Sequence, residues 1–185
     1  MEYSVLEILA VEPVTVAMVK ERLRLLPDAS ASEEELTIQP LITAAREYCE
    51  NRAGYAFIPQ RIVAYPSREE LLDGAFYLPR PPVMEIESVA AFDAAGGETT
   101  LSGAALVAGA EGPLALETPD MGILRRVHPV AVTYTAGAEA CPKLAMQAML
   151  LLIGHWYENR EATGSATGEI AHAVDAILKH YRRWW

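Results

Sequence analysis

The chain has 185 residues, of which 51% are hydrophobic, and this length is sufficient for a sizeable buried core. It carries 25 acidic and 15 basic residues, a net charge of −10, which argues against a protein that wraps nucleic acid, since such proteins need a basic face. Its two cysteines, Cys49 and Cys141, lack the paired spacing of a structural zinc site.

Apolar residues at helical spacing predict two helices in the first third of the chain. Thr15 can cap a short helix, and a longer helix is expected to begin near Ser32 and to end before Gly54. Ser32 and Glu35 have the spacing of a capping box. Pro40 interrupts the apolar pattern, so the longer helix can instead begin or bend at that residue.

From Phe57 to about Gly137 the pattern changes to short β-branched and aromatic runs separated by turn residues, which is typical of strands. The predicted strands are Arg61–Tyr65, Phe76–Leu78, Ile86–Phe92, Leu114–Leu116 and Val130–Tyr134. Asp93–Gly97 has the composition of a hairpin turn. These runs predict a small antiparallel β module that lies between helical segments.

The predicted β module contains a strongly acidic stretch. No Lys or Arg occurs from Pro81 to Leu124, and the carboxylates of this stretch include Glu85, Glu87, Asp93 and Glu98. Such residues can simply keep a surface soluble. They can also form a wall that faces a negatively charged partner and repels it. The sequence leaves both interpretations open.

The most informative segment is the helix predicted to begin at Pro142, because proline suits the first position of a helix. From Leu144 to Ile153 only Gln147 is polar, so this helix is apolar on all sides. The run is too short to span a bilayer, which takes about 20 residues. We expect it at the centre of a helical core, or between that core and a neighbouring copy.

The segment His155–Glu161 combines two aromatic residues with charged and polar ones, a mixture common at permanent contacts between subunits. The candidate residues for a subunit interface are Leu151, Trp156, Tyr157, Glu158 and Arg160. The alternative is an ordinary helix end whose aromatic residues pack within their own subunit.

The chain ends in a basic and aromatic tail after a last helix predicted from about Glu169 to Tyr181. Tryptophan carries a large apolar area that is costly to leave in water, so another surface should cover the end of the chain. The tail either folds back on its own core or docks into another protein. The candidate docking residues are Lys179, Tyr181, Arg182, Arg183, Trp184 and Trp185.

No pattern in the sequence predicts catalysis. Gly164–Gly168 places its serine wrongly for a nucleophile elbow, and no Gly-rich phosphate loop with a following lysine occurs. His172 and His180 are two helical turns apart, roughly 12 Å, which is too far for one metal ion without further ligands. We therefore expect no enzyme and no catalytic, cofactor-binding or metal-binding residues.

Taken in chain order, five segments resemble the head–tail connector (adaptor) family of tailed bacteriophages, prophages and gene transfer agents. They are Val19–Leu25, Leu41–Phe57, Leu78–Glu98, Val130–Glu161 and Tyr181–Trp185. The most specific parts are Leu78–Pro82 with the hairpin that follows it, Tyr134–Gly137 and His155–Glu161. The acidic loop before Pro142 departs from the pattern. The resemblance extends over essentially the whole chain and rests on this order, since none of the segments is a catalytic signature.

The resemblance implies a structural protein of the virion, located at the head–tail junction. It implies a homo-oligomeric ring, usually of twelve subunits, beneath the portal protein of the filled capsid. Such a ring extends the DNA channel without sequence-specific binding and forms a platform for the next neck protein, the stopper. The acidic residues Glu85, Glu87, Asp93 and Glu98 would then line the channel, and the basic aromatic tail would bind the portal. The alternative is a bacterial oligomeric interaction protein without a virion role.

The expected fold class is α+β, mainly an α-helical bundle with an inserted small antiparallel β module. The helices would occupy about residues 15–54 and 142–181, and the β insertion about residues 57–137, within a single connector domain of residues 1–185. Met1–Ala10 contains two glutamates and no basic start, so no secretory signal is expected. Synthesis in the bacterial cytoplasm follows as an expectation.

Overall fold

The computed structural model describes residues 1–25, 31–107, 109–117, 119–159 and 167–182, and for residues 31–33, 167–169 and 171 it describes the backbone only. The chain divides into two compact units. The β unit comprises Met1–Ala10 and Ile58–Glu139, and the helical unit comprises Val11–Phe57 and Ala140–Trp185.

The β unit contains two antiparallel sheets. Its strands are β1 (Glu2–Ile8), β2 (Gln60–Tyr65), β3 (Ala75–Phe76), β4 (Val83–Phe92), β5 (Glu98–Thr100), β6 (Ala105–Leu106), β7 (Leu114–Ala115) and β8 (Val130–Ala136). Five strands form one sheet in the order β1-β2-β8-β4-β5, and three form another in the order β3-β7-β6. In the central strand β8, Val130, Val132, Tyr134 and Ala136 are buried and the intervening residues are half-buried. This alternation places one face of the larger sheet on the core.

The predicted hairpin after β4 is confirmed, because Phe92 pairs with Glu98 across the turn. The expectation of a mainly helical bundle with a small β insertion is wrong. The β unit has its own sheets and core, and β1 joins its larger sheet from before the first helix, pairing from Glu2 opposite Tyr65 to Ile8 opposite Gln60. The physical reason is that the backbone of β2 needs hydrogen-bonding partners along both of its edges. Strand β8 pairs with one edge and β1 with the other, so the sheet includes a strand that precedes the helices in the chain.

The described helices are α1 (Val16–Leu23), α2 (Ala31–Ala53), α3 (Arg68–Asp73), α4 (Lys143–Glu158) and α5 (Thr167–Leu178), of which α3 belongs to the β unit. The cap of α1 is confirmed, since the Met18 amide donates to Thr15 Oγ1 at 3.3 Å. The capping box at Ser32 is wrong, because α2 is already helical at Ala31 and continues through Pro40. None of the described helices is long and apolar enough to cross a bilayer.

The helical unit is built around α4, as its all-round apolar sequence predicts. Helix α4 contacts α1, α2 and α5. Its buried residues are Ala145, Ala148, Met149, Leu152, Ile153 and His155. Cys49 of α2 is also buried in this core, and burial raises the pKa of its thiol to about 12. Because three helices cover it, α4 sets the position of the residues that follow it toward Asn159.

Candidate functional site

A cleft in the helical unit brings together two of the candidate interface residues. Leu151 and Glu158 of α4 line it together with Arg22 of α1, and its volume is about 190 Å³. The remaining lining residues are Leu23, Leu150, Gly154, His155 and Ile170. The residues that α4 contributes recur at a spacing of three and four, so they lie on one face of the helix. Charged groups of both signs around an apolar lining are typical of a contact surface for another protein chain.

The two aromatic candidates face the subunit's own helices. The Trp156 ring packs edge-to-face on Tyr48, with ring centroids 6.1 Å apart. Trp156 and Tyr157 are both half-buried and pack against the core of the helical unit. Arg160 lies outside the described residues. The structure therefore brings Leu151 and Glu158 into one concave surface and gives Trp156 an internal contact as well.

The beginning of the predicted tail is held on its own subunit. The ring of Tyr181 lies 5.1 Å from that of Phe57 and 5.6 Å from that of Tyr55. The Arg182 Nε donates a hydrogen bond of 3.0 Å to the carbonyl oxygen of Arg52. Lys179 is exposed. Arg183, Trp184 and Trp185 lie outside the described residues, so the structure tests neither interpretation of these three.

An ion pair links the helices beside this tail. Arg52 of α2 donates to both carboxylate oxygens of Asp175 of α5, at 2.6 and 2.5 Å. This two-point geometry is the strongest that Arg and a carboxylate form. The hydrogen bonds from Arg52 hold the pKa of Asp175 below its usual range. The pair connects the helix that precedes the tail to the centre of the helical unit.

The four carboxylates proposed for a channel have different surroundings. Glu87 binds Arg61 at 2.7 Å and accepts a hydrogen bond from Thr135 at 2.9 Å. Asp93 accepts hydrogen bonds from backbone amides of its own turn, those of residues 95 and 97. Glu85 and Glu98 are exposed and make no ion pair within the described part of the chain. Two of the four are therefore committed to local structure, and two are free to act on a passing charge.

The segment Leu78–Pro82, one of the most specific parts of the sequence, holds a buried arginine that sequence reasoning missed. Arg80 is 8% exposed and has a positive φ of 54°. Its guanidinium donates to Gln60 Oε1 at 3.1 Å and to the Tyr3 hydroxyl at 3.2 Å. The Tyr134 hydroxyl donates to the Pro79 carbonyl at 2.7 Å. The segment therefore ties β1, β2 and β8 together, and its role is structural.

A second specific segment, Tyr134–Gly137, is explained by packing at Gly137. This residue has a φ of +141°, and a Cβ at its position would collide with the carbonyl group of Ile58. Only glycine meets both requirements, because it has no Cβ and tolerates this backbone conformation. Close approach of the two backbone segments at the end of β8 is the reason for the glycine.

The helical unit contains a buried ion network that sequence reasoning also missed. Arg46 and Glu50 are one turn apart on α2, and Arg46 Nη1 lies 2.8 Å from Glu50 Oε2. Both residues are buried, with exposed fractions of 2% and 0%. Arg46 also donates a hydrogen bond of 2.9 Å to the carboxylate of Glu12, and Glu50 accepts a hydrogen bond of 3.0 Å from the backbone amide of Phe57. Burial alone would lower the pKa of Arg46, but the hydrogen bonds and charges of the two glutamates outweigh it and raise the pKa. The available signal was the opposite charges at this spacing on an otherwise apolar helix face.

Comparison with known proteins gives a fold match. No protein-family model and no curated protein matches the chain. Among solved structures, it is similar to a chain in the neck of the empty gene transfer agent (GTA) particle computed with C6 symmetry, at 24% identity and a TM-score of 0.74. It is also similar to a chain in the virion of the native GTA particle, at 24% identity and a TM-score of 0.72. A third similar chain is in the neck of the native particle computed with C12 symmetry, at 22% identity and a TM-score of 0.69.

Each of these matches covers 100% of this chain and 97% of the other. They confirm the resemblance to components of phage-like particles that the sequence indicated. At this level of identity they establish that the chains share a fold.

Proposed function

We propose that the protein is a structural component of the neck of a phage-like particle, with the role of a head–tail connector (adaptor) and no enzymatic activity. The observation that carries this proposal is the fold match to GTA neck structures, which extends over the whole chain and nearly the whole of the matched chain. The same family was indicated independently by the order of segments along the sequence. A match over both full lengths supports a shared architectural role more strongly than a match to one part would.

In this role the whole of residues 1–185 acts as one subunit of a closed ring. The matched necks were computed with C6 and C12 symmetry, and we propose a ring of twelve copies beneath the portal protein. A ring forms when each copy uses one surface to bind a different surface of the next copy and the rotation closes. The ring would extend the DNA channel and provide the platform for the stopper or another neck or tail protein.

We assign the cleft of the helical unit to the contact between copies. Leu151 offers a half-buried apolar surface there, and Arg22 and Glu158 supply opposite charges that can orient an incoming side chain. Trp156 and Tyr157, which follow on the same helix, are proposed to belong to this interface as well, and so is Arg160, which lies outside the described residues. Contacts of this composition, with an apolar centre and charged margins, exclude water and give specificity.

The exposed carboxylates of the β unit are proposed to face the channel. Glu85 and Glu98 are unpaired among the described residues, so their charge can repel DNA phosphates and keep the passing duplex from adhering. Glu87 and Asp93 would add to the same field, although both also have local structural partners. DNA would pass through without sequence-specific binding.

The tail is proposed to dock on the portal. Tyr181 and Arg182 fix its beginning to the helical unit, and Lys179 is exposed beside them. Arg183, Trp184 and Trp185 would then supply the aromatic and cationic anchors that dominate protein interfaces. A short deletion of Arg183–Trp185 tests this assignment, because it leaves the described contacts of Tyr181 and Arg182 in place.

The test of the proposed function is deletion of the gene in the organism that encodes the chain, followed by complementation with the parent sequence. We expect DNA-filled heads without tails in the deletion strain, and the chain in purified particles at the same copy number as the portal. A protein with the alternative role, a bacterial oligomeric interaction protein outside the virion, would be absent from particles. Normal particle yield without the gene would contradict the proposal.

A further inference from the structure

A cleft in the β unit brings two arginines together. Arg68, the first residue of α3, and Arg126, in the loop before β8, line this cleft, and its volume is about 530 Å³. The remaining lining residues are Met121, Gly122 and Leu124. No carboxylate lines the cleft among the residues that the structure describes. Its wall is therefore positive, although the chain as a whole carries a net charge of −10.

The availability of Arg126 is unusual in the β unit. This unit contains no lysine, and its arginines are Arg61, Arg68, Arg80, Arg125 and Arg126. Arg61 pairs with a carboxylate, Arg80 is buried and hydrogen-bonded, and Arg125 stacks on an aromatic ring. Arg126 is exposed and makes no hydrogen bond or ion pair within the described part of the chain. Its charge is available to a partner.

The second arginine, Arg68, is half-buried and is oriented by the loop that forms the other wall of the cleft. Its Nη2 donates to the Met121 carbonyl at 2.7 Å, and its Nη1 donates to the Arg125 carbonyl at 3.4 Å. A guanidinium carries five N–H donors in a rigid fork, so further donors remain for an incoming anion. Because the loop already holds Arg68, binding an anion costs little additional ordering.

The surroundings of the cleft favour a carboxylate side chain over DNA. Nucleic acid backbones are held by many cations that neutralise successive phosphates, whereas this cleft offers two. Glu69 and Asp120 are exposed and adjoin lining residues in the chain, so they would repel a long polyanion. Part of the lining is apolar, and in the same loop Ile123 and Val127 are 61% and 70% exposed. An acidic peptide segment that also carries apolar side chains fits this combination.

We propose that the cleft of Arg68 and Arg126 binds an acidic segment of another protein. The two guanidinium groups hold a carboxylate of that segment, and its apolar side chains pack on Ile123 and Val127. Arginine and a carboxylate can form two parallel hydrogen bonds, which gives the contact a defined geometry as well as charge attraction. This docking site goes beyond the proposed neck role and does not depend on it.

The experiment measures binding to the full chain by fluorescence anisotropy at low salt. The probe is a labelled peptide with two adjacent glutamates between leucines, and the comparison peptide has glutamines in their place. The test variant is Arg126→Gln, which removes no described contact, and the control is Arg61→Gln, an exposed arginine of the same unit with the same change in net charge. We expect Arg126→Gln to weaken binding of the glutamate peptide about tenfold. Arg61→Gln should bind it like the parent, and the glutamine peptide should not bind.

Two further measurements test other occupants: anisotropy with a labelled DNA duplex, and sedimentation velocity of the parent and of Arg126→Glu. We expect neither duplex binding nor self-association to depend on Arg126. Duplex binding that is lost in Arg126→Gln would assign the cleft to phosphates, and self-association that is lost in Arg126→Glu would assign it to a second copy. Either result would overturn the proposal, as would failure of the glutamate peptide to bind or equal losses in Arg126→Gln and Arg61→Gln. The neck role is decided separately, by the presence of the chain in particles.

Discussion

Each of the two units buries an arginine, but the two arginines have different partners. In the helical unit Arg46 lies between the carboxylates of Glu12 and Glu50. In the β unit Arg80 binds an amide oxygen and a phenol, those of Gln60 and Tyr3. A buried charge must be satisfied, and the groups that help to satisfy it include two carboxylates beside Arg46, and an amide oxygen and a phenol beside Arg80. Since Glu50 is a fully buried carboxylate, its loss leaves a buried cation with one partner fewer, and we expect this change to cost more than removal of Arg80 itself.

The largest effect is expected for Glu50→Ala. This change leaves Arg46 without one of its carboxylates and removes the acceptor of the Phe57 amide, so we expect a loss of about 3–5 kcal/mol in the free energy of unfolding. Urea denaturation measures it. The control is Glu47→Ala, because Glu47 contacts the same arginine at 3.8 Å but is exposed. This change should lower the free energy of unfolding by under about 1 kcal/mol. Equal losses in the two variants would show that burial does not govern the network.

A smaller loss is expected for Arg80→Met in the β unit. The change removes the hydrogen bonds to Gln60 and Tyr3 together with the charge of the arginine, so it leaves no buried cation without a partner, and the cost should be about 1–3 kcal/mol. Arg61→Met is the control, since Arg61 pairs with Glu87 at an exposed position and should cost under about 1 kcal/mol. If Arg80→Met lowered the free energy of unfolding more than Glu50→Ala under the same denaturant, the expected order of the two effects would be wrong.

Charge reversal of the free carboxylates should affect function with little effect on folding. Glu85→Lys with Glu98→Lys changes exposed residues, so the free energy of unfolding should move by about 0.5 kcal/mol at most for each change. In assembled particles the new lysines should bind phosphates and slow DNA release, most strongly at low salt. The control pair is Glu69→Lys with Glu139→Lys, exposed residues of the same unit that give the same net charge. Equal slowing by the control pair would remove the channel assignment.

The smallest effect concerns pH and the pair Arg52–Asp175. Because the folded-state pKa of Asp175 is lowered, the pair's contribution is fully present above the ordinary carboxyl pKa of about 3.9 and is lost as the pH falls through the lower folded value. Arg52→Gln should therefore raise the pKa of Asp175 toward its usual range. An NMR titration of the Asp175 carboxyl measures this directly. An unchanged pKa would mean that another group, such as Arg182, sets it.

The elements that were predicted correctly carry strong local signals. Thr15 with the residues after it, and the apolar run that begins after Pro142, predict α1 and α4 without reference to the rest of the chain. The strand β1 was missed although Tyr3 and Val5 alternate with polar residues, because the alternation shifts at Leu6, where the structure has its bulge. The capping box that the structure shows is at Ser67 and Glu70, at the start of α3, and not at Ser32.

The amino-acid sequence by itself determined where helices and tight turns form, because caps, glycines and apolar spacing act over a few residues. The order of those segments also resembles that of the connector family, and the fold match to GTA structures agrees with this resemblance. Only the tertiary structure decided that β1 completes a sheet with β2, more than fifty residues away, since strand pairing depends on distant partners. It likewise decided which charges are buried and which are free. Arg46 and Glu85 each carry one full charge, of opposite sign, and only packing places the first inside a network and the second in water.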